Sequence, residues 1–456
     1  MLTYALKKSP GVPLYEALYR CIRSDILRGD LKPGQKLPSK RTLAANLEVS
    51  RITVETAYDQ LLSEGYIRSV QKVGYFVEAV ERQEAGSPIA AEPEVQPEKP
   101  LLDLTGGTGH FPFSVWSRLQ REVMLDYGEK LLLPIPNQGI FELRLAISEH
   151  LSAFRGMQVP PENILIGAGT DFLCNLLIQL LGRDKIYALE EPGYGKIRKI
   201  YTSGGVTCQS APLDRMGVLP QGLVEADILH FSPSHHFPSG LVTPVGRRLE
   251  LLEWATAQPG RYIIEDDYDS EFRFDAHPMP TMKGLDHSGR VIYMNTFSKT
   301  LAPSIRISYL VLPPELMERF RRELGFYSCT VPSFEQYTLA RFLSLGHFEK
   351  HINRMRKAYR TTRNAVVTVL KECPYGERFT ILEQNAGLHF ILKIDSGKTD
   401  RELAALCEAA GIRVRALGDY FHSEKPADTH CLVVNYGGIK NEDVAILADI
   451  LNKLVI

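Results

Sequence analysis

Two unlike folds are predicted in this chain: an α+β winged helix-turn-helix over residues 1–80, and an α/β part of alternating strands and helices over residues 101–456. Three observations predict them. Three short helical patterns followed by two short strand patterns fill the first 80 residues. Between 81 and 100 the composition shifts to Pro88, Pro93, Pro97 and Pro100 with five glutamates, which reads as an extended, disordered linker of at most ~70 Å. From Leu101 onward, apolar runs of strand length alternate with helical patterns.

A chain of 456 residues is long enough for two or three domains and a large core. Its 44% hydrophobic and 23% charged content is ordinary for a globular protein. The formal net charge of −1 gives no sign of a polyanion partner, but its distribution is uneven. Residues 1–80 hold 12 Lys/Arg against 8 Asp/Glu, whereas residues 81–100 hold 2 against 5. The seven cysteines are scattered without a C-x-x-C pair, which favours reduced thiols over a disulfide framework or a zinc site. No metal site is expected. The amino terminus lacks the long apolar stretch of a signal peptide, and the most apolar run, 172–181, is too short and too polar to span a bilayer. A cytoplasmic protein is expected, with no membrane partner.

Taking the first part in order, Leu14, Leu18, Ile22 and Ile26 form a helical stripe closed by Gly29. A turn-rich connector, 31–39, leads to a second helix, Lys40 to Leu47, that breaks at Glu48-Val49. Ser50 is the expected N-cap of a third helix, Arg51 to Glu64, ended by Gly65. Strands at 66–69 and 74–77 follow, with Gln71 and Lys72 at their tip. Ser50, Arg51 and Thr53 stand where a helix start can reach phosphates and base edges in a major groove, and the wing adds Lys72. Residue type alone fits an ordinary solvated helix start equally well.

The pattern is more specific. Leu37-Pro-Ser-Lys-Arg41-x-Leu-Ala-x-x-Leu-x-Val-Ser-Arg51-x-Thr-Val resembles the GntR-type DNA-binding domain, whose usual wording is LPSxRxLAxxLxVSRxTV. The resemblance implies that Ser39, Arg41, Ser50, Arg51, Thr53 and the turn at Gly74 face double-stranded promoter DNA. A helical bundle used only for dimerisation is the competing reading.

The second part is organised around Asn295-Thr-Phe-Ser-Lys299-Thr-Leu-Ala-Pro-Ser-Ile-Arg306, which follows a buried-strand run, Val291 to Met294. A lysine in such a place is either solvated or, when its pKa is lowered by desolvation or a neighbouring cation, an imine-forming nucleophile. Arg306 is that cation or a phosphate ligand. Upstream, Arg261-Tyr-Ile-Ile-Glu-Asp266-Asp-Tyr268-Asp is an apolar run ending in carboxylates. Asp266 and Tyr268 share a face while the strand persists. A carboxylate beside a phenol is what a pyridoxal ring requires at its nitrogen and 3-hydroxyl. An acidic loop or a magnesium site is the alternative.

Asp266-x-Tyr268, Thr296-Phe-Ser-Lys299 and Arg306 together resemble the cofactor site of fold-type I aminotransferases. That resemblance implies a large domain with a mixed, mostly parallel sheet, a small carboxy-terminal α/β domain, and pyridoxal 5′-phosphate held as an imine on Lys299. Asp266 would pair with the ring nitrogen and Tyr268 with the 3-hydroxyl. Arg306 with Gly169 and Thr170 would hold the phosphate, the last two lying at a turn that opens a helix whose free N–H groups suit an anion, and Ser298 is a further cofactor-binding candidate. Tyr194, in Glu-Glu-Pro-Gly-Tyr194, matches the aromatic that stacks on the ring. Ser234-His235-His236-Phe-Pro-Ser-Gly240 is similar to the family's S-H-Q-[FY]-P-[TS]-G, with His236 where glutamine is usual and His235 expected at the ring. Strand is expected to run on from Leu301 to Pro314, and one long helical region from there to about Cys373. The arginines of that region, Arg354, Arg356, Arg360 and Arg363, read as a solvated face, with a second DNA contact as the alternative.

The order GntR-like domain, linker, aminotransferase-like domain resembles the MocR/GabR family of bacterial transcription regulators across nearly the whole chain. This implies a cytoplasmic, nucleoid-associated regulator assembled as a head-to-tail homodimer, with a small amine, an amino acid or the cofactor itself as effector. Arg198 and Arg415 are the candidate effector-binding cations. Phe421 falls where GABA-responsive members carry an arginine, a departure that argues against a GABA-like ligand. An active aminotransferase with an appended DNA-binding domain is the alternative function.

Overall fold

A computed structural model describes Tyr4 and residues 13–79, 102–107, 111–272, 279–383, 387–423, 428–440 and 443–455. The expected linker, 81–100, lies outside the described residues. The chain divides into two compact units, Met1–Glu98 and Lys99–Ile456.

In the first unit, α1 (Leu14–Arg28), α2 (Lys40–Leu47) and α3 (Arg51–Ser63) precede an antiparallel hairpin of β1 (Ile67–Val70) and β2 (Gly74–Val77). Leu18, Ile22, Leu43, Val54, Tyr58 and Leu61 are wholly buried between them. Each aliphatic side chain so buried is worth about 1.5–3 kcal/mol, which is what makes so small a core sufficient. Ser39 and Ser50 cap α2 and α3 by accepting the amides of Thr42 and Thr53, both at 3.1 Å. The first strand starts one residue later than expected, because the Tyr66 amide turns back to the Leu61 carbonyl to close α3.

The second unit begins with β3 (Leu102–Asp103), α4 (Phe113–Tyr127) and α5 (Phe141–Arg155). Next come β4 (Ile164–Gly167), α6 (Thr170–Leu181), β5 (Ile186–Glu191), α7 (Gly195–Ser203), β6 (Thr207–Asp214) and β7 (Gly217–Val218). After these stand β8 (Ile228–Phe231), α8 (Val245–Thr256), β9 (Tyr262–Asp266), α9 (Met282–Leu285), β10 (Val291–Thr296) and β11 (Ser308–Val311). They build an eight-stranded sheet in the order β4-β11-β10-β9-β8-β5-β6-β7. The run β10-β9-β8-β5-β6 is parallel; β11 and β7 are antiparallel to their neighbours. Its central strands are apolar on both faces because helices cover both. Ile264 and Ile292 pack with the buried side chains of α6, whereas Ile263 and Val291 pack with those of α8.

Helices α10 (Pro314–Glu323), α11 (Ser333–Ser344) and α12 (His347–Glu372) lead to the smaller part. There β12 (Phe379–Leu382), β13 (His389–Ile394), α13 (Asp400–Ala409), β14 (Ile412–Arg413), β15 (Arg415–Ala416), β16 (Cys431–Asn435) and α14 (Val444–Val455) follow. The sheet β12-β13-β16-β15 is antiparallel, and β14 pairs with β3.

Three local expectations are corrected. Strand does not run from Leu301 to Pro314: a 3-10 turn at Pro303–Ile305 and a left-handed Arg306 (φ 52°) interrupt it before β11. The region 314–372 is three helices, divided ahead of α11 by Pro332 and ahead of α12 by a left-handed Gly346. Its basic face is not wholly solvated. Arg363 is buried, and Arg356 donates to the Glu271 carbonyl and lies over the Phe154 ring. Among the described residues no helix is long and apolar enough to cross a membrane.

Candidate functional site

The first unit presents its candidate DNA face at two helix starts and a hairpin tip. Ser39, Arg41, Ser50, Arg51 and Lys72 are exposed, and Thr53 is half-buried. Arg41 and Arg51 make no ion pair among the described residues, which leaves both guanidinium groups available to phosphates. Lys72 turns the hairpin with φ 62°. Ser50 and Thr53 are not free hydroxyls, since their oxygens lie 2.8 Å apart as part of the α3 cap. Their first task is therefore to start the helix. Sequence reasoning overlooked Ile52, 73% exposed in the first turn of α3 between two polar candidates.

In the second unit a cavity of about 340 Å³ opens beyond the carboxyl ends of β4, β5, β8, β9 and β10. This is where open α/β sheets place ligands, because the strands fan apart there and the following loops supply polar groups. Thr170, Tyr194, Arg198, Asp266, Tyr268, Ser298, Lys299 and Arg306 all line it. Asp266 and Tyr268 are brought together by the loop and not by a shared strand face, since β9 ends at Asp266. The residue between them, Asp267, turns inward to a buried ion pair with Arg155 at 2.9 Å.

A chain of polar groups supports Asp266 from behind. Tyr201 Oη, a phenol that burial raises well above its usual pKa, lies 2.7 Å from His230 Nδ1. His230 Nε2 lies 3.6 Å from Asp266 Oδ2, so the tautomer with its proton on Nε2 would turn a donor toward the carboxylate and leave Nδ1 to accept from Tyr201. The other oxygen, Asp266 Oδ1, is buried without a partner among the described residues. An orphaned buried acceptor is costly unless a donor arrives. A protonated ring nitrogen is such a donor.

The opposite end of the cavity suits an anion. Gly169, at φ 88°, caps α6, and the first-turn amides of Thr170, Asp171 and Phe172 find no acceptor among the described residues. The Arg306 guanidinium lies flat on Gly169, and a Cβ at that position would come within 2.4 Å of it. Ser298 Oγ is buried and also unpartnered. Lysine, ring-nitrogen acceptor and anion seat therefore fit a phosphorylated pyridine aldehyde.

Of the expected residues, Gly169 is not itself in the lining, standing one residue before Thr170 as the cap of α6, and two others lie elsewhere. His235 does not line the cavity; its ring is buried behind Tyr268, with Nδ1 2.8 Å from Asp269 Oδ2 and 3.2 Å from Tyr268 Oη. Phe237 and His389, whose rings pack together with His389 beside His235, do line the cavity. Arg415 is exposed on β15 and outside the cavity lining. Arg198 does line it, but its Nη2 is already held by Ser210 Oγ at 2.9 Å and Glu191 Oε2 at 3.3 Å. Glu191 also accepts the amides of His422 and Ser423, tying the 417–423 segment to the end of β5.

Sequence reasoning missed Glu190, His389 and Lys196, all in the lining. Burial, and then the Asp266 charge, push the Glu190 carboxyl well above its usual range, which favours its neutral form. Burial likewise depresses His389, whose Nε2 donates to the Pro238 carbonyl at 3.0 Å. Two carboxylates closing an apolar strand at Glu190-Glu191 were the available signal. No group of three His, Cys, Asp or Glu side chains among the described residues is placed to hold a metal ion.

The fold and its two sites define a DNA-binding domain joined to an aminotransferase-like domain, and comparison with known proteins agrees. The family described as bacterial regulatory proteins of the gntR family matches residues 14–77, and aminotransferase class I and II matches residues 103–451. An uncharacterized HTH-type transcriptional regulator, YdeL of Bacillus subtilis, is 37% identical over 97% of both chains. The probable rhizopine catabolism regulatory protein MocR of Rhizobium meliloti is 33% identical, covering 95% of this chain and 92% of that one. The pyridoxine biosynthesis regulator PdxR of Corynebacterium glutamicum is 32% identical over 92% and 91%. An archaeal alanine:glyoxylate aminotransferase structure superposes with a TM-score of 0.70 at 23% identity, over 78% of this chain and 90% of that one, which establishes the fold. The chain belongs to the MocR-type family of GntR-class HTH transcriptional regulators with an aminotransferase-like domain.

Proposed function

We propose that this regulator binds promoter DNA through the α2–α3 face and the wing, and that pyridoxal 5′-phosphate on Lys299 is the core of its sensor. Asp266, which lines a cavity that also holds a lysine and an anion seat and whose Oδ1 has no partner among the described residues, carries this reading. When bound, the cofactor would supply an electrophilic carbon and an electron-withdrawing ring. The chain's own groups do the rest. Lys299 is the attachment amine, Asp266 keeps the ring nitrogen protonated, and Tyr201–His230 fixes Asp266. Tyr268, a phenol held protonated by burial and nearby carboxylates, donates to the ring oxygen. Tyr194, 53% exposed at the mouth, covers one ring face.

The effector we propose is a small amine or amino acid that engages the same centre. Arg198, whose Nη2 is held by Glu191 and Ser210 while its Nε has no partner among the described residues, lines the cavity where it can report on a ligand anion. Phe113, Leu125, Leu132 and Leu133 are exposed apolar side chains gathered in one segment, a composition that supports burial against a second copy. Titrating the purified protein with amines while following both imine absorbance and operator affinity tests the reading. One ligand that shifts both supports it; spectral change without any change in DNA affinity, together with sustained keto-acid formation, would favour the aminotransferase alternative.

A further inference from the structure

The cavity holds one cation that the function described above leaves unused. Lys196, in the first turn of α7, places Nζ 2.7 Å from Asp171 Oδ2. The same carboxylate oxygen accepts Arg306 Nη2 at 3.2 Å. Two cations from different elements thus converge on a single oxygen at the open amides of α6, and all three side chains line the cavity. Arg306 Nη2 is further tied to the Ala168 carbonyl at 3.3 Å, so the shared oxygen is part of what aims the guanidinium.

We propose that Lys196 is a second cation of the phosphate seat and that Asp171 is its built-in competitor, a carboxylate that occupies both cations until a phosphate ester displaces it. The inference rests on the pyridoxal phosphate reading and deepens it. Its physical basis is charge balance. A phosphate ester brings close to two negative charges into a seat whose fixed groups are Arg306, the α6 dipole, the buried Ser298 hydroxyl and, on this proposal, Lys196. Asp171 remains ionised there: burial opposes its charge, but Lys196 and Arg306 outweigh burial and hold its carboxyl below the usual range. A fixed anion beside an incoming one lowers affinity through like-charge repulsion, and it keeps Lys196 and Arg306 ordered when no phosphate is present. The consequence is a seat that binds its phosphate ester reversibly rather than permanently, and so responds to the concentration of the ester.

The test compares pyridoxal 5′-phosphate with pyridoxal, which lacks the phosphate, by equilibrium binding to full-length wild type, K196M and D171N. Lys196 and Asp171 are both partly exposed, so neither change should threaten folding. K196M is expected to weaken the phosphate ester about tenfold, the scale of one charge-assisted hydrogen bond, and to leave pyridoxal unchanged. D171N is expected to tighten the ester several-fold, again with pyridoxal unchanged. Unaltered ester affinity in K196M, or equal losses for both compounds, would overturn the proposal. So would D171N binding the ester more weakly, which would make Asp171 a positioning group only. Loss of amine response in K196M with normal ester affinity would reassign Lys196 to the effector's anion. A wild type that binds neither compound would instead defeat the cofactor reading itself, and that outcome is read without any variant.

Discussion

Asp266 and His236 show how much one side chain decides here. Asp266→Asn keeps the shape but removes the anion that holds a ring nitrogen protonated. It should leave the Lys299 imine able to form while slowing its exchange with amines at least tenfold, measured by stopped-flow absorbance. Unchanged exchange would mean that another group supports the ring. His236 is a different case, since it is buried and structural. Nε2 lies 3.0 Å from the Pro192 carbonyl and Nδ1 2.6 Å from Ser239 Oγ, so the neutral ring donates through Nε2 and accepts through Nδ1. A glutamine amide offers one donor and one acceptor too, which accounts physically for glutamine in the related motif. Burial lowers the His236 pKa to about 3 from 6.5. The unfolded chain therefore takes up a proton below pH 6.5 that the folded chain refuses. Stability from this group is complete above pH 6.5 and is lost as pH falls toward 3, by about 2 kcal/mol at pH 5. His236→Gln should shrink the drop in unfolding free energy between pH 7 and pH 5 by about that amount. An equal drop in both proteins would clear His236 of the effect.

Among elements, α6 and α3 show a helix start serving as a site. Gly169 combines φ 88° with ψ 163°, a region open to glycine alone, and Arg306 lies against it. Gly169→Ala should cost about 1–3 kcal/mol of stability from backbone strain and abolish phosphate-ester binding by moving Arg306. Retained ester affinity would show that the guanidinium has room to shift. At α3 the cap is formed by Ser50, while Arg51 is exposed and makes no ion pair among the described residues. Arg51→Ala should weaken operator binding and reduce its salt slope by roughly one counterion. An unchanged slope would remove Arg51 from the phosphate contacts. Both helix starts were legible in the sequence, because Ser-Arg-x-Thr and Gly-Thr are local capping signals. The interruption at Pro303–Arg306 was not. It combines the 3-10 turn at Pro303–Ile305 with a positive φ at Arg306, whose guanidinium packs against Gly169 at the start of α6.

Across the second unit, buried charge holds the layers in register. Arg155 of α5 meets Asp267 beyond β9, and Asp267 also accepts Tyr293 of β10 at 2.6 Å and Ser270 at 2.9 Å. Removing one member strands the other in a low-dielectric interior. Asp267→Ala should destabilise the fold by about 3–5 kcal/mol in denaturant unfolding, far more than an exposed carboxylate would. A loss below about 1 kcal/mol would mean that water reaches Arg155. At the level of assembly, Leu132→Glu should shift the proposed homodimer toward monomer in sedimentation, since it sets a charge into the exposed apolar segment that holds Phe113, Leu125 and Leu133. An unaltered mass would place the interface elsewhere.

The two folds, the helix caps, the lysine, the Asp266–Tyr268 pair and the arginine can be read along the chain, because each is written in residues close together. Which distant polar groups meet them depends on packing. It set His230 behind Asp266, turned His235 away from the cavity and Asp267 into the core, left Arg415 outside, and joined Lys196 to Asp171. Those pairings join residues from 25 apart, Asp171 and Lys196, to 112 apart, Arg155 and Asp267. Their geometry is fixed by how helices pack on a twisted sheet, and no local pattern in the chain encodes that.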